Sequence, residues 1–138
     1  MSSKLSLLVL IVASSVSGQS FQADLKSEHD PVRRSELALT FADVSFDTAR
    51  TFYTKGEVEK GDAQLENMTN ALNACVDSLA AVNKARFYKK AEMKVANLQR
   101  RLSDLVTELN VQERGWAEYT NRKLEEIHDK MLNGVMRK

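Results

Sequence analysis

The stretch that decides the fold runs from Tyr88 to Leu109 and reads YKKAEMKVANLQRRLSDLVTEL. Its apolar residues recur at intervals of three and four, at Tyr88, Ala91, Val95, Leu98, Leu102, Leu105 and Leu109. This spacing places them on one face of an α-helix, whereas a half-buried strand would alternate every two residues. We therefore predict a helix here, called segment C, with one buried face.

Three other stretches repeat the same spacing. Segment A carries it from Leu39 to Tyr53, segment B from Val58 to Val82, and segment D from Ala117 to Met131. We call such a row of apolar residues along one helix face a seam. Seams with this spacing suit knobs-into-holes packing in left-handed bundles. The sequence therefore predicts an all-α fold, an antiparallel four-helix bundle of helices of similar length.

The ends of segment A carry clear boundary signals. Asp30 is suited to cap a helix N-terminus, and Pro31 fits the first helical position because its missing N–H costs nothing there. At the other end, Gly56 can take the left-handed conformation that closes a helix, and Lys55 suits the negative end of the helix dipole. We expect the first helix to lie between these two pairs.

The other two boundaries rest on the phase of the seams. Segment B, extended past Val82, would bury Arg86 and other charges, so we predict a turn near residues 83–87. A second change of phase, and a capping box formed by Asn110 and Glu113, predict a turn within residues 110–115. The alternative is three helices with a long, kinked third helix, which would be about 76 Å long at ~1.5 Å per residue.

The chain begins like a secretory signal peptide. Lys4 precedes an apolar run over residues 5–13, and small residues follow up to Gly18. The run is about half of the ~20 residues that span a bilayer, so we expect cleavage and no transmembrane anchor afterwards. The predicted organisation is a signal peptide over 1–18, a flexible lead over 19–29 and a helical domain over 30–138.

Composition excludes several classes of protein. The chain has 138 residues with 20 basic and 19 acidic groups, one cysteine and two histidines. One cysteine excludes a multi-cysteine metal site and an internal disulfide. An even charge balance, together with export, disfavours nucleic acid as a partner. Cys75 lies on the seam of segment B, so we expect it to be buried, with a disulfide-linked dimer as the alternative.

Catalytic motifs are lacking in the sequence. Glu125 and His128 form one Glu-x-x-His motif, but di-iron bundles use two such motifs and two further glutamates. No phosphate-binding loop, haem attachment motif or nucleophile elbow is present. We therefore expect a protein that is not an enzyme and has no catalytic residue, cofactor or metal site.

Charge is unevenly divided between segments B and C. Residues 84–109 carry seven basic and three acidic groups, while residues 57–82 carry one basic and five acidic groups. One interpretation is that B and C are antiparallel neighbours whose charges fix their pairing. The other is that the basic face binds an anionic partner such as lipid head groups, an envelope polymer or an acidic protein. The residues of this face are Lys84, Arg86, Lys89, Lys90 and Lys94.

Four stretches resemble a family of uncharacterised, exported bacterial helical proteins. They are DPVRRSE at 30–36, KKAE at 89–92, LQRRL at 98–102 and IHDKMLNGVM at 127–136. The resemblance covers most of residues 30–137. It implies export in a bacterium and helix boundaries near the breaks predicted above, and it brings no catalytic residue and no ligand.

These observations together predict a periplasmic or extracellular protein that acts by binding other molecules. The expected function is that of a helical interaction or structural protein of the bacterial cell envelope, whose partner is a protein or an envelope component. The alternative function is binding of an anionic surface through the basic face. A homodimer is compatible with both.

Overall fold

The structure is a computed structural model that describes residues 23–136. Helices account for most of this part of the chain, and it contains no strand. The all-α class is therefore confirmed. The predicted signal peptide and the beginning of the predicted lead lie outside the described residues.

Four long helices follow one another: α1 (Pro31–Thr54), α2 (Val58–Val82), α3 (Ala85–Glu108) and α4 (Gly115–Val135). They correspond to segments A to D in order. All three predicted breaks are confirmed. Residues 109–114 separate α3 from α4, so the alternative of one long, kinked third helix is wrong.

The first helix begins and ends as predicted. The Asp30 side chain accepts a hydrogen bond from the backbone N–H of Val32, and Pro31 occupies the first turn. Beyond its last turn, Gly56 has a φ of +79°, a conformation that a residue with a Cβ rarely adopts. Gly56 is the middle one of the three residues, 55–57, that connect α1 to α2.

The connection between α2 and α3 is two residues long. Asn83 takes the left-handed conformation with a φ of 56°, and its N–H donates to the carbonyl of Leu79 at 2.8 Å. Asparagine tolerates this conformation better than most residues, which is why a helix ends here without glycine or proline. Lys84 is extended and precedes α3.

The prediction that Asn110 caps the start of the fourth helix is wrong. The Asn110 side chain does accept from the N–H of Glu113 at 3.0 Å, but the two residues close a turn that precedes the helix. The residue that caps α4 is Arg114, which makes no side-chain capping bond. The local hydrogen bond was thus predicted correctly, but the chain makes one further turn before α4 begins.

The seams form one core. Nearly every seam residue of the four segments is buried, and the largest fully buried side chains come from all four helices: Phe46, Leu65, Met68, Leu72, Leu79, Leu98, Leu102, Leu105, Leu124 and Met131. The exceptions are Val58, Val82, Leu109 and Val135 at the helix ends, which are half-buried. The three-and-four spacing therefore identified the buried face of each helix.

The helices pack as two hairpins. The most extensive contacts join α1 to α2 and α3 to α4, while α2 also contacts α4 and α1 contacts α3. Arg34 near the start of α1 donates to Ser78 near the end of α2, so these helices run in opposite directions. Glu92 in the first half of α3 contacts His128 in the second half of α4, so α3 and α4 also run in opposite directions.

The predicted pairing of segments B and C is wrong. Helices α2 and α3 contact each other less than any other contacting pair, and it is α1 that faces α3. Glu36 pairs with Lys90 near the start of both helices, and Arg50 pairs with Glu108 near their ends. Helices α1 and α3 are therefore parallel neighbours, and the acidic side chains that face segment C belong to segment A.

The described part of the predicted flexible lead contains a short helix. Residues 23–27 are helical, and Leu25 packs against the core. The few apolar residues of this polar stretch show no helical period, which is why the sequence indicated no structure here. At least this portion of residues 19–29 is ordered by a tertiary contact.

Candidate functional site

The predicted basic face lies at the start of α3. Lys84 caps the helix, and Arg86, Lys89, Lys90 and Lys94 follow within its first three turns. Lys89 and Lys90 are about two-thirds exposed, and Lys94 is half-buried. The structure thus brings the five residues together on one helix, but their surroundings differ.

Lys90 and Lys94 point towards α1. The Lys94 ammonium lies 2.9 Å from a carboxylate oxygen of Asp43, and Lys90 lies 3.8 Å from Glu36. These two lysines are therefore partly neutralised by their own chain. Removing Lys90 would leave Glu36 without its ion-pair partner, and removing Lys94 would leave Asp43 with Arg101 alone.

Asp43 is the centre of the contact between α1 and α3. It accepts hydrogen bonds from Lys94 and from Arg101, both at 2.9 Å, and Arg101 also binds Asp47. The Arg101 guanidinium lies 4.7 Å from the centre of the Phe46 ring. Burial alone would raise the pKa of Asp43, but the hydrogen bonds and positive charges of Lys94 and Arg101 outweigh it and lower that pKa.

The remaining part of the basic face points to solvent. Among residues 23–136, neither Lys84 nor Arg86 has an acidic partner within salt-bridge distance. Arg86 lies 4.7 Å from the centre of the Phe87 ring, and Lys89 lies 3.7 Å from Glu92. Lys84 and Arg86 thus have no ion pair among residues 23–136, and Lys89 pairs only with a residue of its own helix.

One polar pair was not predicted. Nε2 of His128 lies 2.9 Å from Oε1 of Glu92, and both side chains are largely buried between α3 and α4. The sequence held a signal for it, since each residue directly follows a seam residue, Ala91 or Ile127. In the part of the chain that the structure describes, no three His, Cys, Asp or Glu side chains converge to hold a metal ion.

A second polar pair joins α1 to α2. The Tyr53 hydroxyl donates to a carboxylate oxygen of Asp62, and the Tyr53 ring lies against Gly61. Burial, the hydrogen bond to Asp62 and its negative charge all raise the pKa of Tyr53. Burial also raises the pKa of Asp62, and the charge of Glu59 adds to this, while the bond from Tyr53 acts in the opposite direction. The pair fixes the start of α2 against the end of α1.

The prediction that Cys75 is buried is confirmed. Its side chain is fully buried in the core, and burial raises the pKa of the thiol to about 12. A thiol with this pKa carries almost no thiolate at neutral pH. The alternative, a disulfide-linked dimer, would require α2 to separate from the core.

A groove of about 600 Å³ runs between α1 and α3. Its α1 side carries Glu36, Asp43 and Asp47, and its α3 side carries Lys90 and Lys94. The groove lining also includes two exposed apolar side chains, Val44 on α1 at 44% exposure and Met93 on α3 at 60%. The groove therefore has an acidic side and a basic side, each with one exposed apolar residue.

These features define an all-helical protein with a charged groove and an exposed basic helix start. Comparison of the chain with protein-family models, with curated proteins and with solved structures gave no match. Within residues 23–136, no helix is both long and apolar enough to cross a membrane.

Proposed function

We propose that this chain is an exported, non-enzymatic interaction or structural protein of the bacterial cell envelope, built as a four-helix bundle of two antiparallel hairpins. Export rests on the order of residues 1–18, with Lys4, the apolar run and the small residues before Gln19. The bundle is supported by four buried seams and by opposite helix directions within each hairpin. The resemblance to exported bacterial helical proteins belongs to this proposal.

The observation that carries a surface function is the distribution of polar groups. The buried polar side chains of the described residues are hydroxyls, those of Ser35, Ser45, Ser78 and Thr120. Three of them donate to carbonyls of their own helix three or four residues earlier. The charged groups of the described residues therefore lie on or near the surface, where a partner can reach them.

Crosslinking in the native envelope tests this proposal. A photoreactive residue in place of Lys84 and another in place of Val111 would sample the two ends of the molecule. Capture of the same envelope protein or polymer from one end and not from the other would support the proposal. Recovery of the uncrosslinked monomer from both positions, with the protein present in the envelope fraction, would contradict it.

The second candidate function is binding of an anionic surface, and the exposure of Lys84, Arg86 and Lys89 favours it. Three cations within about two turns of one helix, with Phe87 between them, can lie against a layer of phosphate groups. Surface charges are screened beyond ~10 Å at 0.1 M salt. Binding to anionic vesicles is therefore expected to fall steeply as salt is added.

Charge reversal separates the two candidates. The variant to use is Lys84→Glu and Arg86→Glu combined, because reversing Lys89, Lys90 or Lys94 would also repel the acidic residue with which each one pairs. A matched control reverses Lys55 and Arg122, which changes the net charge equally and leaves this face intact. Loss of vesicle binding in the first variant alone would establish the face. Equal loss in both, or no binding by the unaltered protein, would remove this candidate.

A further inference from the structure

The groove between α1 and α3 presents opposite charges on its two sides. Glu36 and Asp47 on α1 are at least half exposed, and so is Lys90 on α3. The Glu36–Lys90 pair is long, at 3.8 Å, and exposed, so these two side chains can exchange partners at little cost, whereas Asp47 is held by Arg101. The groove is therefore complementary in charge to a surface with the reverse arrangement.

A copy of the same chain offers that arrangement. When two identical grooves meet face to face, a twofold axis along the groove places α1 of one copy opposite α3 of the other. A twofold axis across the groove would instead place α1 opposite α1, with acidic groups facing acidic groups. The charges favour the first orientation, because like charges brought together across an interface are unfavourable.

The apolar residues fit the same orientation. The Asp43–Lys94 bond of 2.9 Å puts Val44, one residue later on α1, and Met93, one residue earlier on α3, within about 3 Å of each other in height along the parallel helices. A twofold axis along the groove preserves height, so Val44 of each copy comes near Met93 of the other. Two of the most exposed large apolar side chains of the described residues would thereby be covered.

We propose that the α1–α3 groove is a self-association surface, through which two copies dimerise about a twofold axis parallel to the groove. The groove spans about 18 Å of helix and about 20 Å of width, so each copy would bury roughly 360 Å². The total of about 720 Å² is well below the about 1,200–2,000 Å² of stable interfaces. The dimer is accordingly weak, and we expect it to form only at high protein concentration. This inference depends neither on export nor on the basic face.

Sedimentation equilibrium of the purified protein tests the association. The expected result is a monomer at low concentration and a growing dimer fraction towards about 1 mM. Val44→Glu and Met93→Glu are each expected to weaken the dimer by at least about tenfold, because each places an unpaired charge against an apolar side chain of the other copy. Val111→Glu is the matched control, since Val111 is 73% exposed and lies outside the groove. A monomer at about 1 mM would overturn the proposal, and so would equal weakening by the control.

Disulfide trapping tests the orientation. Val44→Cys chains mixed with Met93→Cys chains are expected to give several-fold more crosslinked dimer than either chain alone. Cys75 contributes little background, because it is fully buried and its pKa is raised to about 12. Crosslinking of Val44→Cys chains with each other, at least as strong as in the mixture, would show that α1 faces α1 and would overturn the proposed axis. Both positions are exposed, so the fold should persist, and helix content by circular dichroism checks it.

Discussion

Two tyrosine rings lie directly on glycines and close the hairpins. Tyr53 of α1 covers Gly61 of α2, and Tyr88 of α3 covers Gly134 of α4. In both cases a Cβ on the glycine would meet the ring at less than van der Waals distance. Glycine is retained inside these helices for close approach, despite its cost of about 1 kcal/mol relative to alanine.

The first prediction concerns Gly61→Ala. The added Cβ would lie 2.8 Å from the Tyr53 ring, so the ring must move. The Tyr53 hydroxyl would then lose its hydrogen bond to Asp62, or the Asp62 side chain would have to move with it. We expect the overpacking to cost about 1–3 kcal/mol, offset in part by the better helix propensity of alanine. Urea unfolding at pH 7 measures the net loss of stability.

Gly115→Ala is its matched control. Gly115 opens α4, and an added Cβ would meet nothing within 4 Å. We expect stability to stay unchanged or to rise by up to about 1 kcal/mol. If the two alanine variants proved equally stable relative to the unaltered protein, the contact between Tyr53 and Gly61 would have no energetic significance.

At the scale of the elements, the contact between α1 and α3 is made by charged side chains. Asp43 accepts hydrogen bonds from Lys94 and Arg101, and the Arg101 guanidinium lies over the Phe46 ring. Pairs at the surface contribute ~0–1 kcal/mol each, so this contact selects which helices become neighbours more than it stabilises them. The hairpins themselves are held by apolar packing.

The second prediction is a pH-dependent loss in Asp43→Asn. The pKa of Asp43 is lowered in the folded protein, so its carboxylate adds stability above its ordinary pKa, and this stability is lost as the pH falls through the folded value. We expect the variant to be less stable by about 0.2–1 kcal/mol at pH 7 and equal to the unaltered protein near pH 2. Urea unfolding at both pH values measures the difference.

Asp104→Asn serves as the comparison. Asp104 is exposed on the same helix that supplies Lys94 and Arg101, and it has no ion pair among the described residues. Its variant should show no difference in stability at pH 7. A difference for Asp43→Asn that persisted undiminished at pH 2 would rule out the ionic origin of the effect.

The elements were predictable from the sequence, but their neighbours were not. Heptad spacing reports which face of a helix is buried, and it succeeded for all four helices because burial is a local property of the pattern. The net charge of a segment, by contrast, does not show which other segment it packs against. Segment B has the largest acidic excess, yet Asp43 and Asp47 of segment A are the residues that reach Arg101, because the hairpins pack through α1–α3 and α2–α4.

The surroundings of the basic face were predictable only in part. The sequence placed five basic residues together at the start of α3, but it gave no means of separating Lys94, which is bound to α1, from Lys84, which is free of ion pairs within the described residues. The Glu92–His128 pair depended likewise on how α3 meets α4. Contacts between elements distant in sequence are set by packing, and a single sequence does not display them.

At the scale of the whole molecule, one core joins both hairpins. Leu72 of α2 and Leu102 of α3 are both fully buried, although their helices barely touch. The third prediction is that Leu72→Ala and Leu102→Ala each cost about 2–5 kcal/mol, because each removes buried surface and leaves a cavity. Chemical unfolding measures both losses. Val111→Ala, at an exposed position, should change stability by less than about 0.5 kcal/mol.

Losses below about half a kcal/mol at both leucines would contradict the assignment of the seams. A loss at one position only, with two separate unfolding transitions, would show that each hairpin is an independent cooperative unit. A single transition in all variants is the expected result, since small domains with one core usually unfold in one step.

The two-hairpin arrangement also has a consequence for how the chain reaches its structure. Most contacts join helices that are adjacent in the chain, so residues 31–82 contain the main partners that the first hairpin needs. Proteins rich in such local contacts fold rapidly, because little loop entropy is lost before contacts form. The first hairpin can therefore assemble before the second half of the chain is available. The link of only two residues at Asn83–Lys84 then holds the hairpins close together, and we expect their docking to be the late step of folding.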